Sequence, residues 1–229
     1  MTPTLMAEQL SLNLPVRPAL GRDDFFVTSA NAIALALVEG WPNWHHGKLA
    51  IIGPAGSGKT HLAHVWAAQS GARIVSAKNL TRTDIPSLAQ GPVAVENVPE
   101  IADDPDAQAA LFHLHNLTLA EGHSLLFTGI AEPKHWGLSL PDLASRMQGT
   151  TTAALSEPDD TLLTVLLGKL FADRQLVPTP DTIPYLVRQI DRSYAAARAL
   201  VEDLDRESLA QQRPITRAFA SKHLKSRAA

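Results

Sequence analysis

Eight consecutive residues, Gly53-Pro54-Ala55-Gly56-Ser57-Gly58-Lys59-Thr60, place glycines, a lysine and a hydroxyl in the spacing G-x-x-x-x-G-K-[ST]. The glycines let successive backbone N–H groups converge on phosphate oxygens, and a helix beginning near Gly58 adds the positive end of its dipole. Lys59 is then expected to reach the β- and γ-phosphates, the Thr60 hydroxyl to ligate Mg²⁺, and His61 to follow directly. The matching metal-side residues should end a later apolar strand. The candidate is Val93-Ala94-Val95-Glu96-Asn97, with Glu96 as a second Mg²⁺ ligand. Asn97 stands where a hydrolysing relative carries a general base, and an amide cannot take the proton of an attacking water. The expectation is a binder of ADP or ATP with weak intrinsic hydrolysis.

Such a loop works only between a strand and a helix. The run 48–52 (KLAII) predicts the strand, and the apolar residues Leu62, Ala63, Val65, Trp66 and Ala67 predict a helix packed on a sheet. Further short apolar runs at 73–76, 92–98, 124–128 and 151–155, with helical spacing over 106–121, imply a parallel sheet flanked by helices. A helix over 31–38 precedes the first strand. After residue 156 the pattern turns helical: 158–171, 179–190, and a helix capped by Ser193 that runs to about Gln212. Residues 214–216 read as a short strand and 222–227 as a solvated tail. The expected division is an extended arm over 1–22, an α/β nucleotide-binding domain over 23–156 and a small helical lid over 157–229.

Composition narrows the function classes. The chain has 229 residues, 45% hydrophobic and 19% charged, which suits a soluble globular chain. A formal net charge of −3 gives none of the basic excess expected of a DNA-reading module. There is no cysteine, so thiolate metal sites and thiol catalysis are excluded. No apolar stretch reaches bilayer length and no signal peptide is evident, so the expected address is the cytoplasm, without membrane contact. His61 and His64, and His113 and His115, lack the companion ligands of a metal site. Trp41, Trp44, Trp66 and Trp136 read as packing residues, with Trp41 or Trp44 also candidates to lie beside an adenine.

The P-loop, the acidic strand, Leu125-Leu126-Phe127-Thr128-Gly129, and Leu140-Pro141-Asp142-Leu143-Ala144-Ser145-Arg146 ahead of a helical lid together resemble the DnaA-related AAA+ proteins. Within that family the likeness is to a branch with the core and lid but no C-terminal DNA-binding domain. The resemblance implies an AAA+ P-loop fold, a sensor-like Thr128, and Arg146 as an arginine finger offered to the nucleotide of a neighbouring subunit. An Arg146 paired with Asp142, one helical turn earlier, is the structural alternative. Gln9-Leu10-Ser11-Leu12-Asn13-Leu14 is similar to the Q-L-x-L-x-L segment with which replication proteins bind the sliding clamp of DNA polymerase III, its beta subunit. Gln9, Leu10, Ser11, Leu12 and Leu14 would make that contact.

The implied partners are therefore the clamp and DnaA, with DNA met only indirectly, at the replisome or nucleoid, and homo-oligomerisation left open. Ala195 occupies the position of the family's second sensor arginine, with Arg192 and Arg198 three residues to either side. The implied role is negative regulation of replication initiation. An autonomous P-loop ATPase or loader, and a nucleotide-cemented member of an AAA+ assembly, remain the alternatives.

Overall fold

The computed structural model describes residues 21–227. Five parallel strands, β1 (Lys48–Ile52), β2 (Arg73–Ser76), β3 (Val93–Glu96), β4 (Leu125–Gly129) and β5 (Thr151–Ala154), lie in the order β2-β3-β4-β1-β5. The register runs Lys48 beside Leu125 and Leu49 beside Thr151, so the C-terminal ends of the strands share one edge of the sheet. Side chains alternate across the sheet as strand geometry requires. Ala50, Ile52, Val93, Val95, Leu125 and Phe127 face one layer, and Leu49, Ile51, Ala94, Leu126 and Ala153 the other.

The first face is covered by α3 (Ile85–Leu88), α4 (Pro105–Ala120) and α5 (Pro141–Gln148), through residues such as Leu88, Leu111, Leu114 and Leu143. The second is covered by α1 (Ala32–Glu39) and α2 (Lys59–Ser70), through Leu35, Val38, Leu62 and Trp66. Burial on both faces explains why the strands read as apolar runs rather than alternating ones. Four further helices, α6 (Asp160–Asp173), α7 (Thr182–Val187), α8 (Tyr194–Gln211) and α9 (Arg217–Arg227), pack on one another around Leu163, Leu167, Phe171, Leu186, Val201 and Leu204. Asp159 and Ser193 cap α6 and α8 by accepting from the amides of Leu162 and Ala196.

Four expectations are corrected. Residues 214–216 form no strand; they lead into α9, so 222–227 belong to a helix anchored by buried Ala220 and by Phe219 and Leu224. The helix expected to run to residue 190 ends at Val187. Trp41 and Trp44 lie away from the loop: the Trp41 indole donates to Ser124, just before β4 begins, and the Trp44 ring packs 5.0 Å from Trp66, far along α2.

Candidate functional site

Residues 53–60 join the C-terminal end of β1 to the first turn of α2. Gly56 and Gly58 hold φ angles of 72° and 99°, a region that side chains disfavour. Lys59 is 9% exposed, and its ammonium donates to the carbonyls of Gly53 and Pro54 at 2.7 Å each. Burial lowers its pKa, and the negative charge of Glu96 opposes that shift. Ser57 Oγ and Glu96 Oε1 are both buried without a hydrogen-bond partner. Buried polar atoms of this kind ordinarily have partners. The Thr60 hydroxyl and the Glu96 carboxylate are hard oxygen donors, a set that suits Mg²⁺. Among the described residues no group of three or more His, Asp or Glu side chains forms a metal site of another kind.

β4 lies between β1 and β3, so its end closes the floor of this edge. Thr128 is buried there, and its hydroxyl accepts the Asn97 amide at 2.9 Å. Asn97 sits at φ 57°, a left-handed conformation that asparagine tolerates better than most residues. The strand edge thus brings together Lys59, Glu96, Asn97 and Thr128.

His61, on the first turn of α2, donates from Nε2 to the Gly21 carbonyl at 3.0 Å and meets the Phe25 ring edge-on at 5.2 Å. Its pKa is lowered, first by burial; the Gly21 carbonyl acts the other way, and His64 and Arg198 add to the lowering.

The start of α8 also packs on the loop. The Tyr194 amide donates to the Gly56 carbonyl at 2.9 Å, and the Tyr194 ring lies against Gly58. Burial pushes the Tyr194 phenol up to about 12. Arg192 is taken up by Asp160 at 2.6 Å and by the Pro158 carbonyl. Arg198 is half-buried, and its charge reaches His61.

Arg146 lies elsewhere. α5 carries the chain back to the start of β5, and the Arg146 carbonyl accepts the Lys48 ammonium at 2.7 Å, at the opposite edge of the sheet. About the length of β1, roughly 13 Å at strand rise, separates that carbonyl from the P-loop. The Arg146 side chain is exposed. It makes no ion pair with Asp142 or with any other described residue, and its guanidinium rests 5.5 Å from the centroid of the Phe112 ring. Gln9, Leu10, Ser11, Leu12 and Leu14 fall outside the described residues.

Sequence reasoning missed Gly21, Phe25 and Tyr194 at the loop, and the burial of Lys48. The first three carry no chemical signature. A charged residue opening an apolar strand was a readable signal for the fourth.

A parallel sheet in this order, with a P-loop after β1 and a C-terminal group of helices, defines the AAA+ type of P-loop module, and the chain has that fold. No protein-family model matches the sequence. Domain III of the replication initiation protein DnaA from Thermotoga maritima superposes with a TM-score of 0.78 at 17% identity, covering 93% of this chain and 98% of that one. AMPPCP-bound DnaA from Aquifex aeolicus gives 0.69 at 17% identity, over 82% of this chain and 65% of that one. A variant of RuvB from Thermotoga maritima gives 0.63 at 14% identity, over 79% and 61%.

Proposed function

We propose that this chain is an adenine-nucleotide-bound regulator resembling Hda, the DnaA-related protein that switches off replication initiation. In this reading residues 23–156 bind ADP or ATP, 157–229 form the lid, and the arm over 1–22 docks on the sliding clamp through Gln9, Leu10, Ser11, Leu12 and Leu14. The chain itself then reaches DNA only through the clamp. The DnaA neighbours support a nucleotide ligand, since one is described as bound to AMPPCP and another to AMPPCP and single-stranded DNA.

The P-loop amides and Lys59 would hold the phosphates, His61 and Thr128 would line the site, and Thr60 and Glu96 would hold Mg²⁺, which supplies charge neutralisation between phosphate oxygens when bound. Asn97 offers no general base, so the bound nucleotide sets shape rather than being turned over.

The observation that carries the reading is the placement of Arg146. An exposed guanidinium with no ion pair among the described residues, at the sheet edge remote from the chain's own P-loop, suits the nucleotide of another subunit. Delivered in trans to ATP held by DnaA, it would stabilise charge on the transferring phosphoryl group, an effect worth about 10³ to 10⁵ in rate in other NTPases. The test is stimulation of DnaA ATP hydrolysis by the Arg146→Ala protein on clamp-loaded DNA. Lost stimulation with retained clamp binding supports the reading.

A further inference from the structure

The strand that leads to the P-loop opens on a buried cation. Lys48, first in β1, is 6% exposed and has no carboxylate partner among the described residues. Its ammonium donates to the Arg146 carbonyl at 2.7 Å, an oxygen that also accepts the Thr150 hydroxyl at 3.0 Å. That oxygen belongs to the last turn of α5, where carbonyls lack partners within the helix and the dipole leaves partial negative charge. Burial lowers the Lys48 pKa, and the Arg146 charge lowers it further. His115 is near enough to feel both cations and is 2% exposed, and its Nε2 has no hydrogen-bond partner.

Burying an ammonium without a counter-ion is costly, and an apolar residue would fill an apolar strand more cheaply. Nor is Lys48 required to satisfy the carbonyl, since Thr150 already does so. What the lysine adds is specific. It ties the first residue of β1 to the backbone of the residue that carries the exposed guanidinium, and sets a second positive charge behind it.

We propose that Lys48 is a positioning residue for Arg146, fixing the last turn of α5 so that the guanidinium stands out toward the phosphate chain of a nucleoside triphosphate held by a neighbouring subunit. This rests on the reading of Arg146 as acting in trans. Lys48 itself touches no substrate. A guanidinium displaced by about an ångström loses much of its effect on a transition state, so the tie acts on turnover rather than on docking.

Lys48→Met keeps the length of the lysine stem and removes the ammonium with its charge. Its maximal stimulation of DnaA ATP hydrolysis is expected to fall at least about fivefold, with the half-saturating concentration and its own nucleotide affinity within about twofold of the parent. Full maximal stimulation by Lys48→Met, in an assay where Arg146→Ala abolishes it, overturns the proposal. Full stimulation by Arg146→Ala instead overturns the reading beneath it. Should Lys48→Met not fold, the absence of cysteine offers another route. The Lys48→Cys chain, alkylated while unfolded and then refolded, can carry an S-aminoethyl group, which restores the ammonium, or a neutral S-propyl group. Stimulation by the aminoethyl adduct but not by the propyl adduct supports the tie, and equal stimulation by both refutes it.

Discussion

The Tyr194 amide donates to the Gly56 carbonyl at 2.9 Å, joining the first residue of α8 to the middle of the P-loop. A Cβ on Gly56 would lie 2.4 Å from the Ser193 Cβ, and the φ of 72° strains any side chain there. Gly56→Ala is therefore predicted to destabilise the fold by about 1–3 kcal/mol. It should also weaken ADP binding, measured by titration with a fluorescent analogue. Unchanged affinity and unchanged melting temperature would show that the contact carries no strain.

Gln108 is fully buried on α4. Its amide donates to the Ile101 and Ala102 carbonyls, and its oxygen accepts the amides of Ser139 and Leu140, which lead into α5. Replacing it by Leu takes the partner from the Ala102 carbonyl and from the Ser139 and Leu140 amides, while the Ile101 carbonyl keeps the Asp104 amide, and is predicted to cost about 2–4 kcal/mol. Denaturant unfolding measures this, and a loss near zero would mean that the Gln108 contacts are dispensable.

Burial lowers the His115 pKa to about 4, from an ordinary value of 6.5; the hydrogen bond to Asn116 opposes this, and Lys48 and Arg146 add to it. Between these values the unfolded chain binds a proton that the native chain refuses, so stability falls as pH drops from about 6.5 to about 4 and then levels off. The contribution is at most about 3 kcal/mol. His61 is shifted in the same direction and contributes to the same limb. His115→Phe should flatten the stability profile in that window in part, leaving the His61 share. An unaltered acid limb would mean that His115 takes up its proton in the native state.

Asn97 already holds a left-handed conformation that aspartate also tolerates. Asn97→Asp places a carboxylate where the proposed function lacks a general base, and intrinsic ATP hydrolysis is predicted to rise at least about tenfold. Phosphate release by the isolated protein reads this, and a flat response would place the block on hydrolysis elsewhere.

Much of this site was legible because its chemistry is contiguous in sequence. The eight residues from Gly53 to Thr60 match the phosphate-loop pattern and join a strand to a helix as that pattern requires, and short β-branched runs bounded by turn residues located β1 and β2 residue for residue. Charge misled at the C-terminus: the basic residues of 222–227 read as a solvated tail, whereas Phe219, Ala220 and Leu224 supply the apolar face that packs α9. The contact of Ser193 and Tyr194 with the loop was invisible, since a helix cap shows where a helix starts and not what it starts against. Trp41 and Trp44 failed as adenine neighbours for the complementary reason. They stand only a few residues before β1, where the chain enters the N-terminal edge of the sheet, and the loop opens at the other.

In the proposed function Arg146 acts on the nucleotide of another subunit. The most direct measurement is the rate of ATP hydrolysis by DnaA in the presence of clamp-loaded DNA and this protein carrying Arg146→Ala, beside a check that its own nucleotide affinity is unchanged. Stimulation is expected to fall by about 10³-fold or down to the DnaA basal rate, with nucleotide and clamp binding retained. Stimulation equal to that of the parent protein would contradict it.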